Sequence, residues 1–258
     1  MPLVQGIYYT YYQGGQKDRP PVVLIHDAGS NHLCWPAELR RLSSFDVLTL
    51  DLPGHGRSTG LGQHAIEAYA GQLVGFLAGL GIHQAYLVGH SMGGAIALSI
   101  SLQFPTLPVA LGLIASGAYL NVQPELLESL KSPGTYHEGL NWIRQHVFSP
   151  HTSTTLIEYS MKQMSDLRPA ILYEDWLACS HFDLHNEIEK IATPAWVAVG
   201  SDDRLIPVAS ANYLISSLRH VRLQVVPSAG HMLIIEKPKE LAQGLYKFLK
   251  DLENWHDI

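Results

Sequence analysis

The chain has 258 residues, with 17 Lys and Arg against 23 Asp and Glu, a formal net charge of −6. Hydrophobic residues make up 47% and charged residues 16%, which excludes a disordered chain and leaves ample material for a buried core. A mildly acidic chain with dispersed Lys and Arg lacks the electrostatic footprint of a nucleic-acid or anionic-membrane binder.

The opening segment, residues 6–14, carries Ile7, Tyr8, Tyr9, Thr10, Tyr11 and Tyr12 and predicts an antiparallel edge ribbon. Runs rich in apolar residues follow at 22–25, 45–50, 85–88, 109–114, 195–199 and 221–226. Short β-branched runs of this kind suit strands buried on both faces, as in a parallel sheet. Helical periodicity falls between them, at 35–42, 64–80, 92–104, 207–218 and 238–252. Alternation of strand and helix predicts an α/β fold with a doubly wound, mostly parallel sheet, whose sites lie at the carboxyl ends of strands. Residues 119–186 break the rhythm with polar and aromatic helical patches interrupted by Pro124, Pro133, Pro150 and Pro169. The expected organisation is a core over 1–118 and 187–258, with a small helical cap inserted over 119–186.

Gly71, Gly75 and Gly79 share one helix face, a spacing that reads as close packing rather than as a membrane dimerisation face, since Glu67 lies in the same short segment. No stretch approaches the roughly 20 apolar residues that a bilayer span needs. Cys34 and Cys179 are too few and too far apart for a disulfide framework. With no basic-then-apolar leader at the start, a cytoplasmic location is expected.

The pattern Gly-x-Ser-x-Gly occurs twice. Gly56-Arg57-Ser58-Thr59-Gly60 follows a Pro-Gly loop, so Ser58 reads as a loop residue. Gly89-His90-Ser91-Met92-Gly93 follows an apolar run and opens a helical one, the strand–turn–helix context in which a serine is lifted clear of a sheet. A serine hydroxyl needs an imidazole to take its proton, and that imidazole needs an acid to hold its tautomer. Downstream, Asp202 or Asp203 past one strand and His231 past the last stand on the same rim as Ser91.

Five blocks carry a resemblance over nearly the whole chain: Leu24–Gly29, Asp51–Ser58, Gly89–Gly94, Gly200–Pro207 and Ala229–Met232. In order and interval they resemble the α/β-hydrolase superfamily, in its branch of small esterases, lactonases and perhydrolases. The resemblance implies Ser91 as nucleophile, Asp203 as acid (Asp202 being the fallback) and His231 as base. It implies an oxyanion hole from the N–H groups of Met92 and Ala28. It also makes His90 a positioning residue and gives Asp51 and His55 loop-bracing roles.

The chain departs from that pattern at Asp27, where the family carries Gly beside the oxyanion hole. Three readings stand: a local turn that stiffens the loop, repulsion of anionic substrates, or a weakened hole. His181, Asp183 and His185, with Cys179 nearby, form a weak metal pattern with no further partner at ligand spacing, and no metal is expected. No phosphate loop, dinucleotide fingerprint or zinc-protease helix is present, so cofactor-free chemistry is expected.

In the cap, Trp142, Met161, Met164, Trp176 and Phe182 are candidate walls of an apolar substrate pocket beside Asp27. No Arg or Lys cluster stands there to claim a polyanion. The expectation is a carboxylesterase acting on a small to medium, uncharged, partly apolar ester. Lactonase, perhydrolase and carbon–carbon hydrolase use the same triad, and a slow-turnover ligand receptor is the rival from another class.

Overall fold

A computed structural model describes residues 2–16 and 19–253. Eight strands, β1 (Leu3–Val4), β2 (Ile7–Tyr12), β3 (Val22–Ile25), β4 (Val47–Leu50), β5 (Ala85–His90), β6 (Pro108–Ile114), β7 (Ala195–Gly200) and β8 (Val221–Val226), form one sheet. Their order is β1-β2-β4-β3-β5-β6-β7-β8. The first two run antiparallel, as the edge ribbon requires, and every other pairing is parallel.

The central strands are apolar on both faces because helices cover both. Val23 and Ile25 of β3 join a cluster with Leu73 and Phe76 of α2 (Ile66–Gly79) and Ile96 of α3 (Met92–Gln103). Val22 and Leu24, pointing the other way, join Trp35 and Leu39 with Leu241, Leu245 and Phe248. The last three belong to the closing helix (Pro238–Glu253), and Leu39 to α1 (Ala37–Arg40).

Two expectations are corrected. The helix read over 35–42 shrinks to Ala37–Arg40 with a 3-10 turn at His32–Cys34, since Trp35 precedes Pro36 and is held extended. The run at 221–226 is an edge strand rather than one buried on both faces, and Leu223 and Val225 are exposed. The glycine face of α2 packs on the β1 segment: a Cβ at Gly79 would stand 2.8 Å from Val4, and one at Gly75 2.8 Å from Gln5.

Between β6 and β7 the chain forms four helices, α4 (Pro124–Lys131), α5 (Tyr136–Val147), α6 (Thr154–Ser165) and α7 (Pro169–His181). The prolines punctuate them. Pro124 and Pro169 occupy first-turn positions, where the missing N–H costs nothing, and Pro133 and Pro150 fall in the connections. These helices build a small core of their own from Leu126, Leu130, Ile143, Val147, Met164 and Leu172. After β7 come α8 (Val208–Ser217), β8, the short α9 (Leu233–Glu236) and the closing helix α10 (Pro238–Glu253). Among the described residues no helix is long and apolar enough to cross a membrane.

Candidate active site

Ser91 stands between the end of β5 and the first residue of α3, with φ 50° and ψ −114°. A non-glycine residue there is strained and persists only where its surroundings enforce it. The enforcement is steric. A Cβ on Gly93 would lie 2.1 Å from the Ile25 carbonyl oxygen, and one on Gly89 2.1 Å from the backbone of Gly93. Only glycines let strand and helix approach this closely, and the approach lifts the serine off the sheet. The Ser91 amide is tied back to the carbonyl of Ile114 at 2.8 Å.

His231 follows β8 and reaches Ser91 from the neighbouring side, with Nε2 2.8 Å from Oγ. Its Nδ1 lies 3.0 Å from Oδ2 of Asp203. A carboxylate only accepts, so Nδ1 donates to Asp203 and Nε2 is left to accept from the serine hydroxyl. Asp203 is itself fixed, its Oδ1 accepting from the amides of Leu205 and Ile206 at 2.9 Å each. Both His231 and Asp203 are buried. Burial pushes the His231 imidazole down, but the charge and hydrogen bond of Asp203, with Asp27 farther off, outweigh it and hold the ring above its ordinary value.

The alternative acid, Asp202, points elsewhere, accepting from the hydroxyls of Ser149 at 2.6 Å and Ser201 at 2.9 Å. Ser58 is a loop brace: it accepts from the Tyr8 amide and donates to the Asp51 carbonyl. Met92, fully buried, opens α3, where the first amides have no partner within the helix. Ala28 lines the same narrow cleft as Ser91 and His231, together with Trp176, Leu205 and Ile206.

A larger cavity of roughly 640 Å³, its open mouth included, lies beside this cleft and does not touch Ser91. The two share a wall made by Asp27-Ala28-Gly29 and His231-Met232, whose residues alternate between them. Met161 and Met164 line the larger cavity with Phe148 and Leu156. Trp142 lies farther out, stacked on His146 with ring centroids 3.9 Å apart, in a surface depression that shares Asn121 and Leu205 with the cleft. Phe182 lines neither space and packs in the core beneath the sheet's helices.

Asp27 does not close a local turn with its side chain. It is buried, and its Oδ1 has no hydrogen bond, lying 3.4 Å from Nδ1 of His90. Burial pushes its carboxyl up, but the imidazoles of His90, His26 and His231 outweigh that and hold it below the ordinary value. His90 donates from Nε2 to the main-chain carbonyl of His231 at 2.8 Å, so it grips the backbone of the candidate base.

The surrounding loops are held by buried polar groups. Asp51 accepts from the amides of His32 and Arg57 and from the His32 ring. His26 accepts from the Leu52 amide at Nε2, and burial lowers it to about 4. Asp175 of α7 is a residue that sequence reasoning missed. Fully buried, it accepts from the Gly29 amide at 2.8 Å, the Tyr69 hydroxyl at 2.5 Å and Nε2 of His55 at 2.7 Å. The signal in the sequence is the pair Glu174-Asp175 between Leu172 and Ala178 in an otherwise apolar helix. Since Nδ1 of His55 also faces an acceptor, the Pro53 carbonyl, the ring holds both protons and pairs with Asp175 as a cation.

His185 bonds Asp183 at 2.8 Å and His181 faces the His64 carbonyl. Among the described residues no group of three His, Cys, Asp or Glu gathers as a metal site.

The chain has relatives among known proteins. The chain is 27% identical over 259 residues to the "Uncharacterized hydrolase YugF" of Bacillus subtilis (strain 168), covering 95% of this chain and 94% of that one. Its structure is similar to that of a thermophilic esterase, with a TM-score of 0.80 and 28% identity over 95% of this chain and 98% of that one. It is similar also to the enol-lactonase from Burkholderia xenovorans LB400, with a TM-score of 0.83 and 21% identity over 95% and 96%. The profile of the family described as "Alpha/beta hydrolase family" matches residues 22–244, and the chain belongs to that family of enzymes.

Proposed function

We propose that the protein is a serine hydrolase that cleaves carboxylic esters through an acyl-enzyme. The observation that carries this is the continuous chain of hydrogen bonds from Ser91 through His231 to Asp203. Ser91 Oγ attacks the carbonyl carbon while His231 takes its proton, and the amides of Met92 and Ala28 hold the oxyanion. His231 returns the proton to the departing alkoxide. Water then attacks the acyl-enzyme by the same route, releasing the acid and restoring the serine. Asp203 keeps Nε2 free to accept and stabilises the imidazolium.

The helices α4 to α7 act as the cap. Trp176 walls the cleft, and Met161 and Met164 wall the larger cavity. Mixed apolar linings fit a small to medium ester without an anionic group. The similarity to a thermophilic esterase supports this reading.

The test is hydrolysis of p-nitrophenyl esters from acetate to dodecanoate by the wild type and by Ser91→Ala. Turnover that disappears in the variant is expected. A wild type inactive on every chain length, with Ser91 unreactive to a fluorophosphonate, would overturn the proposal.

A further inference from the structure

The cleft that holds Ser91 and His231 does not end at its own walls. Asn121 and Leu205 line it and also line the outer depression that carries Trp142 and His146, so the two spaces meet at these residues. The larger cavity, by contrast, shares no lining residue with the cleft. A substrate too long for the cleft therefore continues into the depression.

Which end of an ester continues there follows from the proposed triad. Leu205 stands two residues after Asp203 and donates its amide to Asp203 Oδ1 at 2.9 Å, so the depression opens on the acid–base side of Ser91. His231 returns its proton to the departing oxygen, and the alcohol part of the ester sits on that side.

The depression offers hydrogen bonds around a flat surface. Trp142 and His146 stack at 3.9 Å with 12° between their planes. His146 Nδ1 donates to the Trp142 carbonyl at 2.7 Å, which locks the pair as one aromatic plate. Beside it stand Asn121, Gln123, Glu125 and Arg204. Arg204 is held by a bond from Nη1 to the Gln145 carbonyl at 3.1 Å. Among the described residues no other Lys, Arg, Asp or Glu lines the space, so the two charges cancel. Both are exposed to water, which makes them weak selectors of an ion but serviceable as donor and acceptor. An aromatic face attracts the polarised C–H bonds of an oxygen-rich ring, while the amides, carboxylate and guanidinium meet its hydroxyls. A hydrocarbon alcohol would displace the water on those groups without replacing its hydrogen bonds.

We infer that this depression is the alcohol subsite, and that the alcohol it takes is a neutral polyhydroxylated ring, a sugar. The inference rests on the ester-hydrolysis reading and adds the class of alcohol to it.

The test compares kcat/KM, followed by proton release at constant pH, for acetates, whose acyl group the narrow cleft admits. Methyl glycosides of glucose, galactose and mannose, acetylated on the primary hydroxyl, are set against cyclohexylmethyl acetate, which has the ring without the hydroxyls. Methyl xyloside acetylated on a secondary hydroxyl is set against cyclohexyl acetate. Rates are divided by those of the same esters with hydroxide, which removes intrinsic reactivity. Each ratio is taken in the wild type, in Trp142→Ala and in the exposed variant Glu125→Gln, so that general damage to the triad cancels. At least one sugar acetate is expected to exceed its hydrocarbon counterpart by about tenfold, the worth of one or two net hydrogen bonds, and to lose about threefold or more of that advantage in Trp142→Ala or Glu125→Gln. Ratios near one in the wild type, or ratios that neither variant changes, overturn the inference. Benzyl acetate or O-acetylserine exceeding every sugar acetate overturns it in favour of an aromatic or a zwitterionic alcohol.

Calorimetry of the same esters on Ser91→Ala, with and without Trp142→Ala, reads the subsite without turnover. If the wild type hydrolyses none of the acetates and no p-nitrophenyl ester, the ester reading fails on that ground alone. Sugar acetates that bind Ser91→Ala no better than their hydrocarbon counterparts sink the subsite separately.

Discussion

Removing Asp175 tests whether one buried carboxylate ties the inserted helices to the loops after β3 and β4. Asp175→Ala leaves the His55 cation, the Tyr69 hydroxyl and the Gly29 amide without their acceptor in a region closed to solvent. Breaking a buried ion pair from one side costs about 3–5 kcal/mol, so a loss of about 4 kcal/mol is expected. With a urea slope of about 3 kcal/mol/M for a chain of this size, the midpoint should fall by about 1.3 M. Tyr69→Phe removes a single donor and should cost about 1 kcal/mol.

The effect also depends on pH. Burial lowers the His55 imidazole, yet Asp175 outweighs it and leaves the ring above its ordinary value. A raised imidazole contributes stability that is fully present below its unfolded value of about 6.5 and is lost as pH rises through the folded value. The gap between wild type and Asp175→Ala should therefore be wider at pH 6 than at pH 9. Urea unfolding followed by tryptophan fluorescence at both values is the assay. A midpoint shift below about 0.3 M at pH 6, or a gap that widens toward pH 9, would refute the reasoning.

Three further outcomes are expected. Asp203→Asn should lower kcat by about 10³–10⁴ by spoiling the His231 tautomer, whereas Asp202→Asn stays within about threefold; p-nitrophenyl butyrate kinetics of equal losses would contradict the assignment. Because His231 must be neutral to accept a proton and is held above the ordinary imidazole value, kcat/KM should fall as pH drops through a point above about 6.5, and a limb below 6 in the pH profile would count against it. Gly93→Ala places a Cβ 2.1 Å from the Ile25 oxygen, so the variant should melt several degrees lower and lose turnover, and wild-type activity with unchanged Tm would show that the turn relaxes.

The sheet was legible because each central strand is a continuous apolar run between helices, and such runs have few other uses. Ser91 was legible for a related reason: the glycines around it are demanded by a local approach of strand to helix, and local geometry leaves a local pattern. Asp175 left a weaker trace. Its three partners come from 106 to 146 residues away, and no spacing along the chain records them. The same limit explains the aromatic residues of the insertion. Trp142, Trp176 and Phe182 are alike by type, yet one lies on an outer depression, one on the cleft and one in the core, according to which way each helix is turned.

The placement of Asp175 on α7 gives the insertion a clamped end and a loose one. Through that carboxylate α7 is riveted to the β3 loop, to the loop after β4 and to α2, and Arg168 at its start adds bonds to the carbonyls of Gly54 and Gly60. On α6, by contrast, Met164 is the single buried residue, and Tyr159 stands more than half exposed at the rim of the larger cavity. The larger cavity thus opens under α6, past the methionines, while the α7 side works as a fixed jamb that holds the loop bearing Gly29 in register.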